Sequence, residues 1–421
     1  MLTACGGRLG LLPEDGGPDV AVGPIDDSGG EGAVDAGEDG TADAADGSEG
    51  SDARGPFHDI TQPSYWSTLD VASIGGVVSG FSGATFDGRY MYFVPDGGGG
   101  VARYDTQSGF AVAASWSVFD ATSFGSTFRG AAFDGRNVYL VPSGGAVVRY
   151  DTQGPFTAAS SWSSFGGAGS GFAGAVFDGQ YMYLVGQSGT MARYDTHAVF
   201  TAPSSWSTIA VTAFAAIMYP SYLGAVFDGR YVYVATADAS VSPLLRYDTQ
   251  SDFASSASWS TFDLLAVDPR LRRFAGAAFD GRYVYLVPST GQFGKIVVPR
   301  YDTGAAFTSV SSWSTFDTAA LGHWATQGYP GAAFDGRYVY FGPAAYINRY
   351  DTQASFSDPS SWSSFDTTTL GPNVMLLEPG VFDGRFLYFV PGSPYGSIAV
   401  RFDARFPPAM PNLPAWHGSF F

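Results

Sequence analysis

Most charged residues of this chain recur at fixed positions of a repeat. The charged residues that lie outside the repeated positions are therefore the candidates for binding a ligand. After residue 56, the basic residues outside that pattern are Arg129, Arg270, Arg272, Arg273, Lys295 and Arg405. Four of these lie near one another in the chain and are followed by a histidine and three aromatic residues. The candidate binding residues are Arg270, Arg272, Arg273, Lys295, His323, Trp324, Tyr329 and Tyr346. Cations beside aromatic rings predict a site for anionic sugars or acidic peptides. The alternative is that Trp324 covers a gap under a long loop and that the arginines are solvated.

The residues that catalysis would need are sparse. The chain has four scattered histidines, with no pair at ligand spacing on one strand: His58, His197, His323 and His417. The sequence therefore supports neither zinc nor copper. Glu378 and Asp96 could meet as a carboxylate pair, which keeps a carbohydrate-active hydrolase or lyase as the minor alternative. Calcium held by aspartates in a central channel also stays open. Apart from these alternatives we predict no catalytic residue, no metal and no cofactor.

Three short signatures recur seven times and define the elements that must position any site. Phe-Asp-Gly begins, at spacings of 44 to 55 residues, at Phe86, Phe133, Phe177, Phe227, Phe279, Phe334 and Phe382. Arg-Tyr-Asp or Arg-Phe-Asp begins at Arg103, Arg149, Arg193, Arg246, Arg300, Arg349 and Arg401. Trp-Ser begins at Trp66, Trp116, Trp162, Trp206, Trp259, Trp313 and Trp362. A repeat of this length indicates a solenoid or a propeller.

Each repeat predicts four short strands. Gly-Ala-x-Phe forms the first, and Asp-Gly then supplies both positive-φ residues of a type I′ turn. The second strand, for example Arg282 to Pro288, alternates tyrosine with aliphatic residues, so both of its faces must be covered. Arg-Tyr-Asp forms the third strand and Trp-Ser-x-Phe-Asp the fourth. Seven such modules predict an all-β, seven-bladed β-propeller with four antiparallel strands per blade.

The order of these pieces resembles that of kelch repeats over about residues 57 to 403. The resemblance implies the propeller and carries little about function. One departure is that Val-Pro, as at Val94 and Pro95, stands where kelch modules carry a glycine pair. Because the chain begins with a Trp strand, we expect Trp66 to Asp70 to complete the last blade. A degenerate strand at Trp416 is the competing candidate for this closure.

Residues found in every module are expected to serve the fold. We predict that the repeated arginines pair with the repeated aspartates at strand ends, and that the tryptophans pack between blades. The singletons fall in the connections between second and third strands and between blades, which emerge on one face. Because binding residues are concentrated in variable loops on a rigid frame, this variable face is the predicted binding face.

The segment before residue 57 differs in composition from the rest. It contains no aromatic residue and is rich in Gly, Asp, Ala and Glu, so we predict that residues 1–56 are a lipobox-like start followed by a disordered tether. Leu2-Thr3-Ala4-Cys5 resembles the lipobox of bacterial lipoproteins, which implies lipidation of Cys5 and a place at the bacterial cell envelope or outer surface. The basic and apolar region that should precede the box is missing. Residues 404–421 are predicted to be a Pro-rich extension.

Charge and hydropathy narrow the class of partner. The net charge is −18, and no broad basic stripe exists, which argues against nucleic acid. No apolar run approaches the ~20 residues of a membrane span, so the only membrane contact expected is a lipid anchor. The sequence therefore predicts a monomeric, non-catalytic module that recognises a glycan or a protein. The main alternative is a multivalent lectin with equivalent Trp and Tyr pockets between blades.

Overall fold

The structure, a computed structural model, is a ring of seven sheets with four antiparallel strands each, as the sequence predicts, and one sheet gains the strand Ala4–Cys5 as a parallel fifth strand. It describes residues 57–75, 80–125, 127–215, 221–289, 296–322, 328–342, 345–371, 374, 377–392 and 396–405, together with the strand Ala4–Cys5. None of the helices in these ranges is long and apolar enough to cross a membrane. The predictions for Lys295, His323, Trp324 and Trp416 lie outside the described residues.

The strands follow the repeat. The two N-terminal strands are β1 (Ala4–Cys5) and β2 (Trp66–Asp70). Blade 1 contains β3 (Phe81–Phe86), β4 (Tyr90–Pro95), β5 (Gly100–Asp105) and β6 (Trp116–Asp120). Blade 2 contains β7 (Phe128–Phe133), β8 (Asn137–Pro142), β9 (Val147–Asp151) and β10 (Trp162–Phe165). Blade 3 contains β11 (Phe172–Phe177), β12 (Tyr181–Gly186), β13 (Thr190–Asp195) and β14 (Trp206–Ala210).

The remaining blades have the same order. Blade 4 contains β15 (Tyr222–Phe227), β16 (Tyr231–Thr236), β17 (Pro243–Asp248) and β18 (Trp259–Asp263). Blade 5 contains β19 (Phe274–Phe279), β20 (Tyr283–Pro288), β21 (Val297–Asp302) and β22 (Trp313–Asp317). Blade 6 contains β23 (Ala332–Phe334), β24 (Tyr338–Phe341), β25 (Tyr346–Asp351) and β26 (Trp362–Asp366). Blade 7 contains β27 (Leu377–Phe382), β28 (Phe386–Pro391) and β29 (Ile398–Asp403), with β2 as its outer strand.

Short helices connect the strands. The α-helix α1 is Thr212–Ala215. A turn of 3-10 helix precedes each Trp strand: Pro63–Tyr65, Ala113–Ser115, Ala159–Ser161, Pro203–Ser205, Ser256–Ser258, Val310–Ser312 and Pro359–Ser361. Further 3-10 turns follow four Trp strands: Val71–Ser73, Leu264–Ala266, Thr318–Leu321 and Thr367–Leu370.

Strand pairing confirms that the N-terminal Trp strand closes the ring. β2 pairs antiparallel with β29, and Trp66 lies opposite Phe402. The seven first strands contact one another in sequence, and β27 contacts β3, so the inner ring is continuous. The two residues of β1 pair parallel with β15, at Val226 and Phe227. β2 therefore covers the edge of β29 and joins the two ends of the ring in one sheet.

The core lies between the blades, as predicted for the tryptophans. The Trp162 ring stacks on Phe119 of the preceding blade with ring centroids 4.3 Å apart, and on Tyr150 of its own blade at 4.7 Å. Its indole Nε1 donates to the carbonyl oxygen of Phe156 at 2.9 Å. Both ring faces are therefore in contact with other rings, and the Trp pockets of a multivalent lectin are closed at this junction.

Candidate functional site

The repeated aspartate of each Asp-Gly turn binds three donors of its own blade. In blade 5, Asp280 Oδ1 accepts the backbone N–H groups of Arg282 and Tyr283 at 2.8 and 2.6 Å, and Oδ2 accepts the Tyr285 hydroxyl at 2.6 Å. Burial, followed by the charge of Asp280, raises the pKa of Tyr285 well above its usual value. Only the glycine of the turn has positive φ, 99° at Gly281. The type I′ prediction is therefore wrong, because the aspartate side chain caps the turn instead.

The arginine after the Asp-Gly turn pairs with the aspartate at the end of the third strand, as predicted. Arg282 Nη2 lies 2.8 Å from Asp302 Oδ2. The hydrogen bond from Arg282 holds the pKa of Asp302 below its usual value, although burial opposes this. The same pair forms in blades 1, 2, 4, 6 and 7. These repeated charges are consequently engaged by the fold.

The prediction that the third-strand arginines also pair with aspartates is wrong for Arg300. Its guanidinium lies between two rings, 4.0 Å from the centroid of Tyr283 and 4.3 Å from that of Phe356 in the next blade. Its Nε donates to Ser314 Oγ at 3.0 Å, and its Nη1 donates to the Tyr350 hydroxyl at 3.0 Å. A weakly hydrated planar cation suits this aromatic interface better than an ammonium group would.

The closing blade departs from this pattern and compensates for it. Phe402 stands where the other third strands carry tyrosine, so the third strand of the next blade offers Arg349 of blade 6 no hydroxyl. Arg349 Nη1 donates instead to the backbone oxygen of His58 at 2.7 Å. The His58 ring stacks on Tyr65 at 3.9 Å, and its Nδ1 lies 2.8 Å from the backbone oxygen of Asp403. His58 therefore belongs to the seam of the ring.

The turn face, defined as the Asp-Gly turns and the segments after the third strands, carries these repeated pairs. The loop face, defined as the connections between second and third strands and between blades, carries the singletons. Two predicted site residues hold the loop before blade 5 in place. Arg270 pairs with Asp268 at 2.7 Å and with Asp317 at 2.6 Å. Arg272 Nη1 donates to the backbone oxygens of Ala239 and Ser240 at 2.9 and 2.7 Å.

Arg273 differs from these two arginines because its side chain is exposed. In the part of the chain that the structure describes, its guanidinium forms no hydrogen bond or ion pair. It is also the one described residue other than glycine with positive φ, 58°. Gly80 and Gly171 hold the equivalent positions in blades 1 and 3, with φ of 98° and 78°. Ser289 binds the Arg273 carbonyl oxygen through its N–H at 2.7 Å and its hydroxyl at 2.8 Å, which holds this backbone conformation.

An acidic residue lies near Arg273. Burial disfavours the charged form of Asp238, but hydrogen bonds from Ser240 and Val241 and the charge of Arg273 outweigh it and lower the pKa of Asp238. Asp238 Oδ1 accepts both the backbone N–H and the hydroxyl of Ser240 at 2.6 Å. The Val241 side chain beside them is exposed. Arg273 thus stands at the rim of a polar loop that is already internally bonded.

The aromatic residues predicted for the same site take different places. Tyr329 is buried, and its hydroxyl accepts a hydrogen bond from Asn348. Burial raises the pKa of Tyr329 to about 12. Tyr346 is half-buried at the start of β25, opposite Asp366. The structure brings the three arginines onto one loop, while Tyr329 packs in the interior and is left out of the candidate surface.

The carboxylates considered for catalysis have separate surroundings. Asp96 Oδ2 lies 3.4 Å from Arg129 Nη1, so this carboxylate has a cationic partner. Glu378 lies on the inner strand β27, and its buried Oε2 has no hydrogen-bond partner among the described residues. Within the same ranges, no three His, Cys, Asp or Glu side chains come together as metal ligands.

A groove that the sequence analysis missed lies on the turn face between blades 4 and 5. Its volume is about 660 Å³, and its walls include Asp228, Arg230, Tyr231, Phe279, Arg282, Asp302 and Gly304. The signal in the sequence was Gly304, because Gln107, Gln153, Gln250 and Gln353 hold that position in blades 1, 2, 4 and 6. The substitution at Gly304 was overlooked because the turn face otherwise varies little between modules.

Comparisons with known proteins establish the fold alone. No protein-family model matches the chain, and no curated protein matches it. The structure is similar to YCF48 from Cyanidioschyzon merolae, with TM-score 0.53 and 14% identity over 80% of this chain and 98% of that one. It is also similar to virginiamycin B lyase from Staphylococcus aureus, with TM-score 0.51 and 10% identity over 80% and 98% of the two chains. A chain of the mitotic checkpoint complex aligns with TM-score 0.55 and 11% identity, over 81% and 94%.

Proposed function

We propose that this propeller is a non-catalytic binding module, displayed as a monomer at the bacterial cell surface, whose loop face recognises a carboxylate-bearing glycan or protein. The display rests on the lipobox-like segment that ends at Cys5, and in the lipidated form Ala4 would be removed and the pairing of β1 with β15 lost. The recognition rests on one observation, the exposed and conformationally strained Arg273 held on a fixed loop. Strained residues persist where the surroundings hold them in place, and they are concentrated at functional sites.

The loop before blade 5 supports this role for Arg273. Arg270 and Arg272 use their guanidinium groups within the protein, on Asp268, Asp317 and backbone oxygens. The guanidinium group of Arg273 is exposed to solvent, where it can bind a carboxylate through two parallel hydrogen bonds. Because the loop is held before the ligand arrives, little ordering entropy is lost on binding.

The test is an Arg273→Gly variant of the full chain, screened against glycan and acidic-peptide arrays. Glycine adopts the positive φ without strain, so unfolding free energy should stay equal or rise by up to about 1 kcal/mol. Binding to the acidic ligands that the wild type selects should fall at least about tenfold, because the bidentate contact is lost. Stability is followed by thermal melts.

The matched control is Arg136→Gln, on the turn face of blade 2. Gln180 already occupies the same position in blade 3, so the fold tolerates it. This variant should bind the same acidic ligands as the wild type. The proposal is wrong if the arrays reveal no acidic ligand, or if Arg273→Gly binds it as the wild type does.

A further inference from the structure

The groove between blades 4 and 5 contains two guanidinium groups that are only partly used. Arg230 and Arg282 come from neighbouring blades, and their side chains are 51% and 67% exposed. Each donates through Nε and Nη2 to one aspartate, at 2.8 Å for the shorter bond. In the described residues, Nη1 of neither arginine donates to any protein acceptor. Both arginines line the same cavity.

The guanidinium groups of this groove are already paired with carboxylates. Asp248 and Asp302 pair with Arg230 and Arg282, and these bonds keep the pKa of each carboxyl below its usual value. Asp228 adds a further carboxylate to the wall. An anionic ligand would gain little Coulomb energy against matched charges while losing its hydration. A neutral ligand whose hydroxyls both donate and accept fits the donors and carboxylate oxygens better.

The remaining walls mix polar and carbon surface. Phe279 and Ala305 contribute carbon, Tyr231 and Thr303 contribute side chains that each carry a hydroxyl group, and Gly229, Gly281 and Gly304 leave only backbone. A volume of about 660 Å³ falls within the range of small-molecule sites. Sugar rings present a matching combination of C–H surface and hydroxyl groups.

Gly304 distinguishes this junction from those whose blades carry glutamine at the same position. The backbone N–H of Gly304 donates to Asp302 Oδ1 at 3.0 Å, as that of Gln353 donates to Asp351 Oδ1 at 3.0 Å in blade 6. The backbone is thus the same with or without a side chain. A Cβ at Gly304 would lie 3.3 Å from Asp302 Oδ1, a contact that the glutamine blades accommodate.

We propose that the groove beside Gly304 is a binding site for one neutral saccharide of one or two rings. This site is on the turn face, and it depends on neither Arg273 nor the loop-face ligand. It also differs from a ring of equivalent lectin pockets, because the residue that opens it departs from the repeat. The expected stoichiometry is one saccharide per chain.

The experiment titrates the full chain with neutral methyl glycosides and disaccharides of glucose, galactose, mannose and N-acetylglucosamine, by calorimetry and ligand-observed NMR. The wild type should bind one equivalent of at least one of them. Gly304→Gln restores the residue of the other blades, so its melting temperature should be unchanged while affinity falls at least about tenfold. Arg273→Gly should bind the sugar as the wild type does.

A second variant introduces the glycine into another blade, so that binding is gained and a nonspecific loss of binding cannot explain the result. Gln153→Gly gives the junction of blades 1 and 2, whose Arg89 and Arg136 side chains are 51% and 57% exposed, the glycine of blade 5, so it should raise the stoichiometry to two. The proposal is overturned if no neutral sugar binds, if Gly304→Gln binds as well as the wild type, or if Gln153→Gly still takes one equivalent. Preferential binding of glucuronate that is lost in Gly304→Gln would also overturn it, since the groove would then select anions.

Discussion

One tryptophan departs from the repeat and shows what the indole hydrogen bond contributes to stability. In the six modules with Trp66, Trp116, Trp162, Trp206, Trp259 and Trp362, the indole Nε1 donates to the carbonyl oxygen six residues earlier. Trp313 is as buried as its counterparts, but its Nε1 has no partner among the described residues. The two kinds of tryptophan share ring packing and differ in one hydrogen bond.

This difference predicts unequal costs for the same substitution. Trp162→Phe removes a donor and leaves the Phe156 carbonyl unpaired, whereas Trp313→Phe removes an N–H that was already unpaired. Trp162→Phe should therefore lower the free energy of unfolding by about 1 kcal/mol more than Trp313→Phe does. Urea unfolding of both variants measures this, and equal costs would show that the indole hydrogen bond contributes nothing.

The strands and their order could be derived from the sequence because each carries a local signature. Trp-Ser and Arg-Tyr-Asp mark whole strands, and the register of Trp66 opposite Phe402 follows from the repeat. Side-chain partners that cross between blades could not be derived, as the aromatic sandwich around Arg300 shows. That contact joins residues far apart in sequence. The local sequence, an arginine near aspartates, predicts an ion pair instead.

The candidate sites were accessible to sequence reasoning in part. Arg273 stood out as an unrepeated cation, but its positive φ depends on the loop geometry around Ser289. Gly304 was visible as a missing glutamine, yet its meaning required the two flanking arginines of neighbouring blades. Tyr329 was assigned to the surface because nothing local predicts its buried partner Asn348.

Closure of the ring by β2 predicts unequal effects of two deletions. Removing residues 57–72 takes away the outer strand of blade 7 and the Trp66 ring, which stacks on Phe365 at 4.3 Å. Two blades would lose buried aromatic surface, so this variant should not give a cooperative thermal transition. Removing residues 407–421 should leave a folded protein. A stable protein after the first deletion and an unfolded one after the second would reverse the assignment.

Across the whole molecule, buried tyrosines tie stability to pH. Burial, followed by the repeated aspartates, raises the pKa of the second-strand tyrosines well above the ordinary value: Tyr92, Tyr139, Tyr183, Tyr233 and Tyr285. These groups must stay protonated in the folded protein, whereas in the unfolded chain they ionise near pH 10. Their contribution is therefore complete below about pH 10 and is lost as pH rises above it.

The expected outcome is a cooperative alkaline transition. Above about pH 10, each such tyrosine should lower the free energy of unfolding by up to about 1.4 kcal/mol per pH unit, so several together make the loss steep. Thermal melts from neutral to strongly alkaline pH, combined with tyrosinate absorbance, measure it. The tyrosinate signal of these buried residues should appear as a step together with unfolding. Ionisation of all the tyrosines near pH 10 in a protein that stays folded would contradict this behaviour.

The repeated residues build the ring, and the departures at Arg273 and Gly304 are what we propose to bind ligands. One array experiment compares the wild type with Arg273→Gly, Gly304→Gln and Arg136→Gln. Acidic ligands should be lost only in Arg273→Gly, neutral sugars only in Gly304→Gln, and nothing in Arg136→Gln. Loss of binding in Arg136→Gln, with wild-type profiles for the other two variants, would show that the repeated residues carry recognition instead.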